Sequence, residues 1–201
     1  MIWYEEEVKQ LEIKRTKLNY VPKVIFYGSS SIRMWKTLDT DFEELRPVNL
    51  GFGGSTLAAC VWFFERIMHS YNPEAMVIYA GDNDLGDGRN PEEVFIFFKQ
   101  LTDEVARLFG DIPCCFISLK PSIARWPLVD KYRYTNSLIE NEIIHRHKNW
   151  QFVNIFNQMM DSSGKPVREY YDKDGLHLSS AGYTLWKNAV LQQMHQSIKL
   201  T

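Results

Sequence analysis

The chain is short of cysteine, of clustered basic residues and of long apolar runs, and each shortage removes a class of function. Only Cys60, Cys114 and Cys115 occur in 201 residues. An odd count without a framework spacing points to reduced, buried thiols rather than to disulfides or zinc ligands. The formal net charge is −2 and there is no basic block. That argues against nucleic acid as a partner, because phosphate binding needs grouped Lys and Arg. No uninterrupted apolar stretch is long enough to span a bilayer, so stable membrane insertion is not expected. Met1-Ile2-Trp3-Tyr4-Glu5-Glu6-Glu7 is acidic where a secretory leader is basic, so the expected location is cytoplasmic. A leader removed beforehand would leave no trace.

Several motifs are missing as well. There is no Gly-x-x-x-x-Gly-Lys-Ser/Thr segment, which removes the P-loop. There is no Gly-x-Ser-x-Gly, which removes the nucleophile elbow of the α/β-hydrolase fold. Gly51-Phe52-Gly53-Gly54-Ser55-Thr56 has Thr56 where a dinucleotide fingerprint needs its third glycine. Asp82, Asp84 and Asp87 fail the EF-hand pattern, since Gly86 stands at the third ligand position. His145 and His147 lie two apart on a helix and point apart, so no metal site is expected there. No metal and no cofactor are expected anywhere.

What remains is a composition of 45% apolar and 24% charged residues, that of a soluble globular protein. Five apolar runs read as strands: 23–28, 47–50, 75–80, 113–119 and 151–155. Val24-Ile25-Phe26, Met76-Val77-Ile78-Tyr79 and Cys115-Phe116-Ile117 are continuously apolar rather than alternating. This pattern marks strands buried on both faces, as in a parallel sheet covered by helices. Helical periodicity fills the gaps at 56–70, 91–109, 128–148 and 181–198. Asn90 and Pro91 supply an N-cap and a first-turn proline, and Ser179 or Ser180 can cap the last helix. The first twenty residues read as a helical extension. The expectation is one α/β domain over 1–201, a three-layer α/β/α sandwich with a five-stranded parallel sheet.

Ligands of open parallel sheets bind outside the carboxyl ends of the strands, and the polar motifs fall there. Ser30 follows the first strand, at a break from apolar residues into Gly28-Ser29-Ser30-Ser31. Gly54 follows the second strand, Asn83 the third and His177 the fifth. A serine hydroxyl needs a base within hydrogen-bond reach to act as a nucleophile. Of His69, His145, His147, His177 and His195, only His177 lies in a Gly-containing turn with an acid, Asp174, three residues before it. That spacing lets a carboxylate fix the imidazole tautomer. Gly54 offers a backbone N–H at a helix start and Asn83 a side-chain amide, both suited to an oxyanion. The alternative is a Ser-rich turn, a capping His and an Asx-turn. Ser29 and Ser31 match Ser30 in composition.

With these four blocks in view, the chain resembles the SGNH hydrolases, also called the GDSL esterase/lipase family. Gly28-Ser29-Ser30-Ser31-Ile32 resembles the Gly-Asp-Ser-Leu block, with Ser30 at the nucleophile position and Trp35 fixing the register. Gly54 matches the glycine block, Gly81-Asp82-Asn83-Asp84 the Gly-x-Asn-Asp block, and Asp174-x-x-His177 the Asp-x-x-His block. The resemblance implies a flavodoxin-like fold and a metal-free serine esterase. It implies a triad of Ser30, His177 and Asp174, with Ser30, Gly54 and Asn83 as the oxyanion hole. Ser29 replaces the family's Asp, which is not the triad acid. Ser29, Arg33 and Trp126 are the candidates to touch substrate, although an ordinary surface ion pair is the simpler account of Arg33. Lys120-Pro121-Ser122-Ile123-Ala124-Arg125 either lines the pocket with Trp126 or merely ends the fourth strand.

The expected reaction is hydrolysis of a small-molecule ester through an acyl-enzyme, with short acyl groups on a carbohydrate or small alcohol. The alternatives are a lysophospholipase-type hydrolase and a decayed binding module on the same fold. Aromatic residues on the outer helices leave room for a homodimer.

Overall fold

A computed structural model describes residues 1–197, with side chains to 194. A 3-10 turn at Ile2–Tyr4 leads into α1 (Glu5–Lys17). The strands are β1 (Val24–Gly28), β2 (Pro47–Gly51), β3 (Ala75–Tyr79), β4 (Cys114–Ile117) and β5 (Trp150–Val153). Between β1 and β2 lie the short helices α2 (Ser30–Arg33) and α3 (Leu38–Asp41). The remaining helices are α4 (Leu57–Met68), α5 (Asp82–Gly86), α6 (Pro91–Phe109), α7 (Val129–Arg146) and α8 (Ser180–Ser197). Ile198, the expected end of the last helix, lies outside the described residues, as does the side chain of His195.

All strand pairs are parallel, in the order β2-β1-β3-β4-β5, which is the flavodoxin-like order. Three connections step in one direction across the sheet, from β2 to β3, β4 and β5. Right-handed crossovers therefore bring α4, α6 and α7 to one face, where α4 packs on α6 and α6 on α7. The β1–β2 connection steps back and puts α2 and α3 on the other face, where α8 joins β4 and β5. Adjacent residues of β1 show the two layers. Phe26 meets Trp35 and Phe42 on one side, while Tyr27 meets Phe52 and Phe64 on the other.

The helix starts follow local chemistry. Asn90 and Glu93 close a capping box on α6 with Pro91 at its first position. The Thr56 hydroxyl accepts from Ala59 N at 3.1 Å to open α4, and the Ser179 hydroxyl accepts from Gly182 N at 3.2 Å to open α8. β4 and β5 each end two residues earlier than the apolar runs predict, and side chains explain both. After Ile117 the ladder is replaced by Asn136, which bonds Leu119 N and O at 2.8 and 3.0 Å. After Val153, Ile155 N and Phe156 N donate to the Ser118 hydroxyl. Cys60, Cys114 and Cys115 are buried and unpaired. No helix among the described residues is long and apolar enough to cross a membrane.

Candidate active site

The sheet order reverses between β1 and β3, which makes the space above their carboxyl ends the switch point where such sheets bind ligands. Ser30 stands at the end of β1, one residue after Ser29, the N-cap of α2. Gly28 makes this turn with φ +137°, and a Cβ there would lie 1.9 Å from the Tyr79 carbonyl oxygen. Only glycine lets β1 approach β3 this closely. Ser29 N then donates to the same carbonyl at 2.9 Å.

His177 reaches Ser30 from the far end of the chain. Its Nε2 lies 3.2 Å from Ser30 Oγ and its Nδ1 lies 2.6 Å from Asp174 Oδ2. The turn that carries both is built by Asp174 itself, whose Oδ1 accepts from Leu176 N at 2.9 Å and His177 N at 3.0 Å. The His177 bond holds the Asp174 carboxyl down to about 2; its slight burial opposes this and the two backbone N–H groups add to it. Asp174 is therefore an anion at neutral pH and accepts the Nδ1 proton, leaving the Nε2 lone pair for Ser30. Gly175 O anchors the turn by accepting from Ala124 N at 3.1 Å and the Ser122 hydroxyl at 3.3 Å.

The oxyanion candidates lie in the loops that follow β2 and β3. Gly54 is exposed, with φ +66°, and its N–H meets no acceptor among the described residues. Asn83 is buried near the start of α5. Its Nδ2 donates to Ser55 O at 3.0 Å, and its Oδ1 accepts from Arg125 Nη2 at 3.1 Å. Arg125 carries donors only, so this contact fixes which way the amide faces. Asp84 joins the same two loops by accepting from Leu57 N at 2.7 Å, and burial pushes its carboxyl up to about 6.

Beneath the site lies a charge cluster that motif spacing did not reveal. Lys120 is buried and donates to Asp82 Oδ2 at 3.0 Å, Tyr79 Oη at 3.1 Å and Ser31 Oγ at 3.3 Å. Arg125 Nη1 donates to Asp82 O at 2.9 Å and lies 3.8 Å from its carboxylate. Burial pushes Asp82 up, but Lys120 and Arg125 outweigh it and leave the carboxyl below its ordinary value. The segment from Lys120 to Arg125 thus does more than end β4. Its signal was a lysine and an arginine flanking an apolar stretch, which reads equally well as solvated charge.

The three candidate substrate contacts differ in exposure. Ser29 is fully buried and its hydroxyl has no hydrogen-bond partner among the described residues, so the expectation that it touches substrate is corrected. The turn points it inward, under Ser30. Arg33 lies 3.6 Å from Glu7 and against Gly53, so its charge is already matched. Trp126 opens a 3-10 turn, half-buried, with the Lys165 ammonium 4.6 Å from its ring centre. Among the described residues no group of three or more His, Cys, Asp or Glu is arranged to hold a metal ion.

The pattern of the GDSL-like Lipase/Acylhydrolase family matches residues 27–185, and the chain belongs to that family. The fold is shared with solved structures at low identity. A protein from Streptococcus pneumonia whose name refers to platelet activating factor superposes with a TM-score of 0.82 at 21% identity, over 96% of this chain and 94% of that one. A GDSL-like lipase from Bacteroides thetaiotaomicron gives 0.78 at 21%, over 95% and 98%. A catalytic mutant of an acetylxylan esterase from Geobacillus stearothermophilus gives 0.69 at 16%, over 89% and 96%. No curated protein matches the chain.

Proposed function

We propose that this protein is a serine esterase that cleaves carboxylic esters through an acyl-enzyme, acting on short acyl, chiefly acetyl, esters of a carbohydrate or other small polar alcohol. The observation that carries the reading is the hydrogen-bonded relay from Asp174 through His177 to Ser30, at 2.6 and 3.2 Å. His177 Nε2 takes the hydroxyl proton as Ser30 Oγ bonds to the ester carbonyl carbon. The carbonyl oxygen becomes an anion held by the Ser30 and Gly54 N–H groups and the Asn83 amide. His177 then gives its proton to the leaving alcohol oxygen as the C–O bond breaks. Water, activated by the same imidazole, releases the acid. No step needs a metal or cofactor.

The likeness in fold to an acetylxylan esterase supports the substrate class. The test is turnover of acetyl, butyryl and long-chain esters alongside acetylated sugars. Acetyl esters are expected to exceed long-chain esters in kcat/KM by at least about tenfold, since one methylene in a closed pocket is worth about that factor. A rate that rises with chain length would overturn the acetyl assignment in favour of a lysophospholipase-type activity.

Arg125 enters this chemistry through Asn83. Arg125→Met is expected to lower kcat roughly tenfold with KM little changed, because the loss of a whole oxyanion donor costs about 10²–10³ and this change only frees its orientation. Steady-state kinetics on an acetyl ester measure it. An unchanged kcat would mean that the Ser55 contact alone holds the amide.

A further inference from the structure

The N-terminal helix lies before the residues that match the family pattern, yet two of its side chains hold the glycine loop. Glu7 Oε2 accepts from Gly53 N at 2.8 Å. The Tyr4 hydroxyl donates to Gly54 O at 3.0 Å. The peptide carrying the Gly54 N–H lies between these two contacts: the peptide before it is fixed at Gly53 N, and the one after it at Gly54 O. Gly54 itself supplies no restraint, since an added Cβ would meet nothing within 4 Å. A left-handed glycine in open solvent moves freely between conformations unless its neighbours are tied. An oxyanion donor is effective only when held in place before charge develops.

The holder is itself anchored. Tyr4, Val8 and Leu11 are buried, and the Tyr4 ring packs edge-on against Phe52 and Phe63. Arg66 of α4 ties down Glu5 at 2.9 Å and Glu12 at 2.8 Å, and Lys14 Nζ donates to Asn49 O at 2.6 Å. A lone carboxylate beside the loop would oppose a developing oxyanion. Arg33 lies 3.6 Å from Glu7 and offsets that charge.

We propose that Tyr4 and Glu7 are positioning residues that clamp the Gly53–Gly54 loop so that the Gly54 N–H serves as an oxyanion donor. The proposal rests on the esterase reading for its catalytic half, while its structural half can be measured without turnover.

The experiment uses the full chain with Tyr4→Phe, Glu7→Ala and Glu7→Gln. Phenylalanine keeps the packed ring and removes only the hydroxyl; glutamine keeps an acceptor for Gly53 N–H and alanine does not. NMR hydrogen exchange of the Gly53 amide and backbone order parameters of Gly53 and Gly54, without substrate, report the clamp. Kinetics on an acetyl ester and the affinity for a boronic acid, which forms a tetrahedral adduct on serine, report its use. Glu7→Ala is expected to speed Gly53 exchange, and both Tyr4→Phe and Glu7→Ala to lower the loop's order parameters. They should lower kcat about tenfold and weaken boronate binding in parallel, with KM and Tm nearly unchanged and Glu7→Gln close to the parent. If the loop's order parameters fall but neither parent nor variants turn over any ester, the clamp stands and the esterase reading falls. Unchanged order parameters, or a kcat loss matched by a general fall in Tm and a rise in KM, overturn the clamp.

Discussion

Ser30→Ala is expected to abolish labelling by a fluorophosphonate and to lower turnover of an activated acetate ester by about 10⁴ or more, with the initial burst gone. The size of the effect follows from the lack of a substitute. Ser31 Oγ is buried and accepts from Lys120, and the Ser29 hydroxyl is buried without a partner among the described residues. Of the three consecutive serines, only Ser30 faces His177, so nothing adjacent can inherit its role. Stability should hardly move, because a half-exposed hydroxyl with one long hydrogen bond contributes within about 0.5 kcal/mol. A thermal melt run beside the labelling assay separates loss of the nucleophile from loss of the fold. Persistent labelling of the variant would show that another residue is the nucleophile and would overturn the proposed mechanism.

The parts of this site that the sequence made legible share a property: each is encoded by its immediate neighbours. Ser30 is announced by a buried strand that breaks at Gly28, and His177 by a turn whose acid lies three residues earlier. Gly54 is marked by a glycine loop that opens a helix. β1, β3 and β4 were readable because both of their faces are apolar. The residues missed act across the chain instead. Arg125 meets Asn83 forty-two positions away, and Tyr4 meets Gly54 fifty positions away. Nothing in their local sequence distinguishes them from surface residues. Ser29 failed for a related reason, since composition does not reveal which way a turn serine faces. The early ends of β4 and β5 depend on Asn136 and Ser118, two side chains that replace ladder bonds from a distance.

Asp174→Asn is expected to cost about as much turnover as removing the nucleophile, roughly 10⁴ in kcat, although the substituted residue never touches substrate. The carboxylate does two things at once. Oδ1 accepts two backbone N–H groups, from Leu176 and His177, while Oδ2 accepts from the imidazole Nδ1. Asparagine has one oxygen, and the two backbone donors claim it. Its NH₂ then faces Nδ1 and can only donate, so the ring must present a lone pair there and carry its proton on Nε2. That tautomer donates to Ser30 instead of accepting from it, and the base is lost while the turn survives. Thermal stability at pH 7 should fall modestly, because the neutral amide lacks the carboxylate's favourable charge in this turn, and chemical shifts of the His177 ring nitrogens should report the swapped tautomer. Acid unfolding supplies a second measurement. Asp174 titrates at about 2 in the folded protein against an ordinary value of 3.8, so the unfolded chain binds its proton first. Its stabilising contribution is complete above pH 3.8 and is lost as pH falls through about 2. Asparagine has no such titration, so the variant should show a shallower loss of stability in that window. Parent-like turnover with an intact fold would mean that His177 needs no oriented tautomer, and the relay would then be only a structural turn.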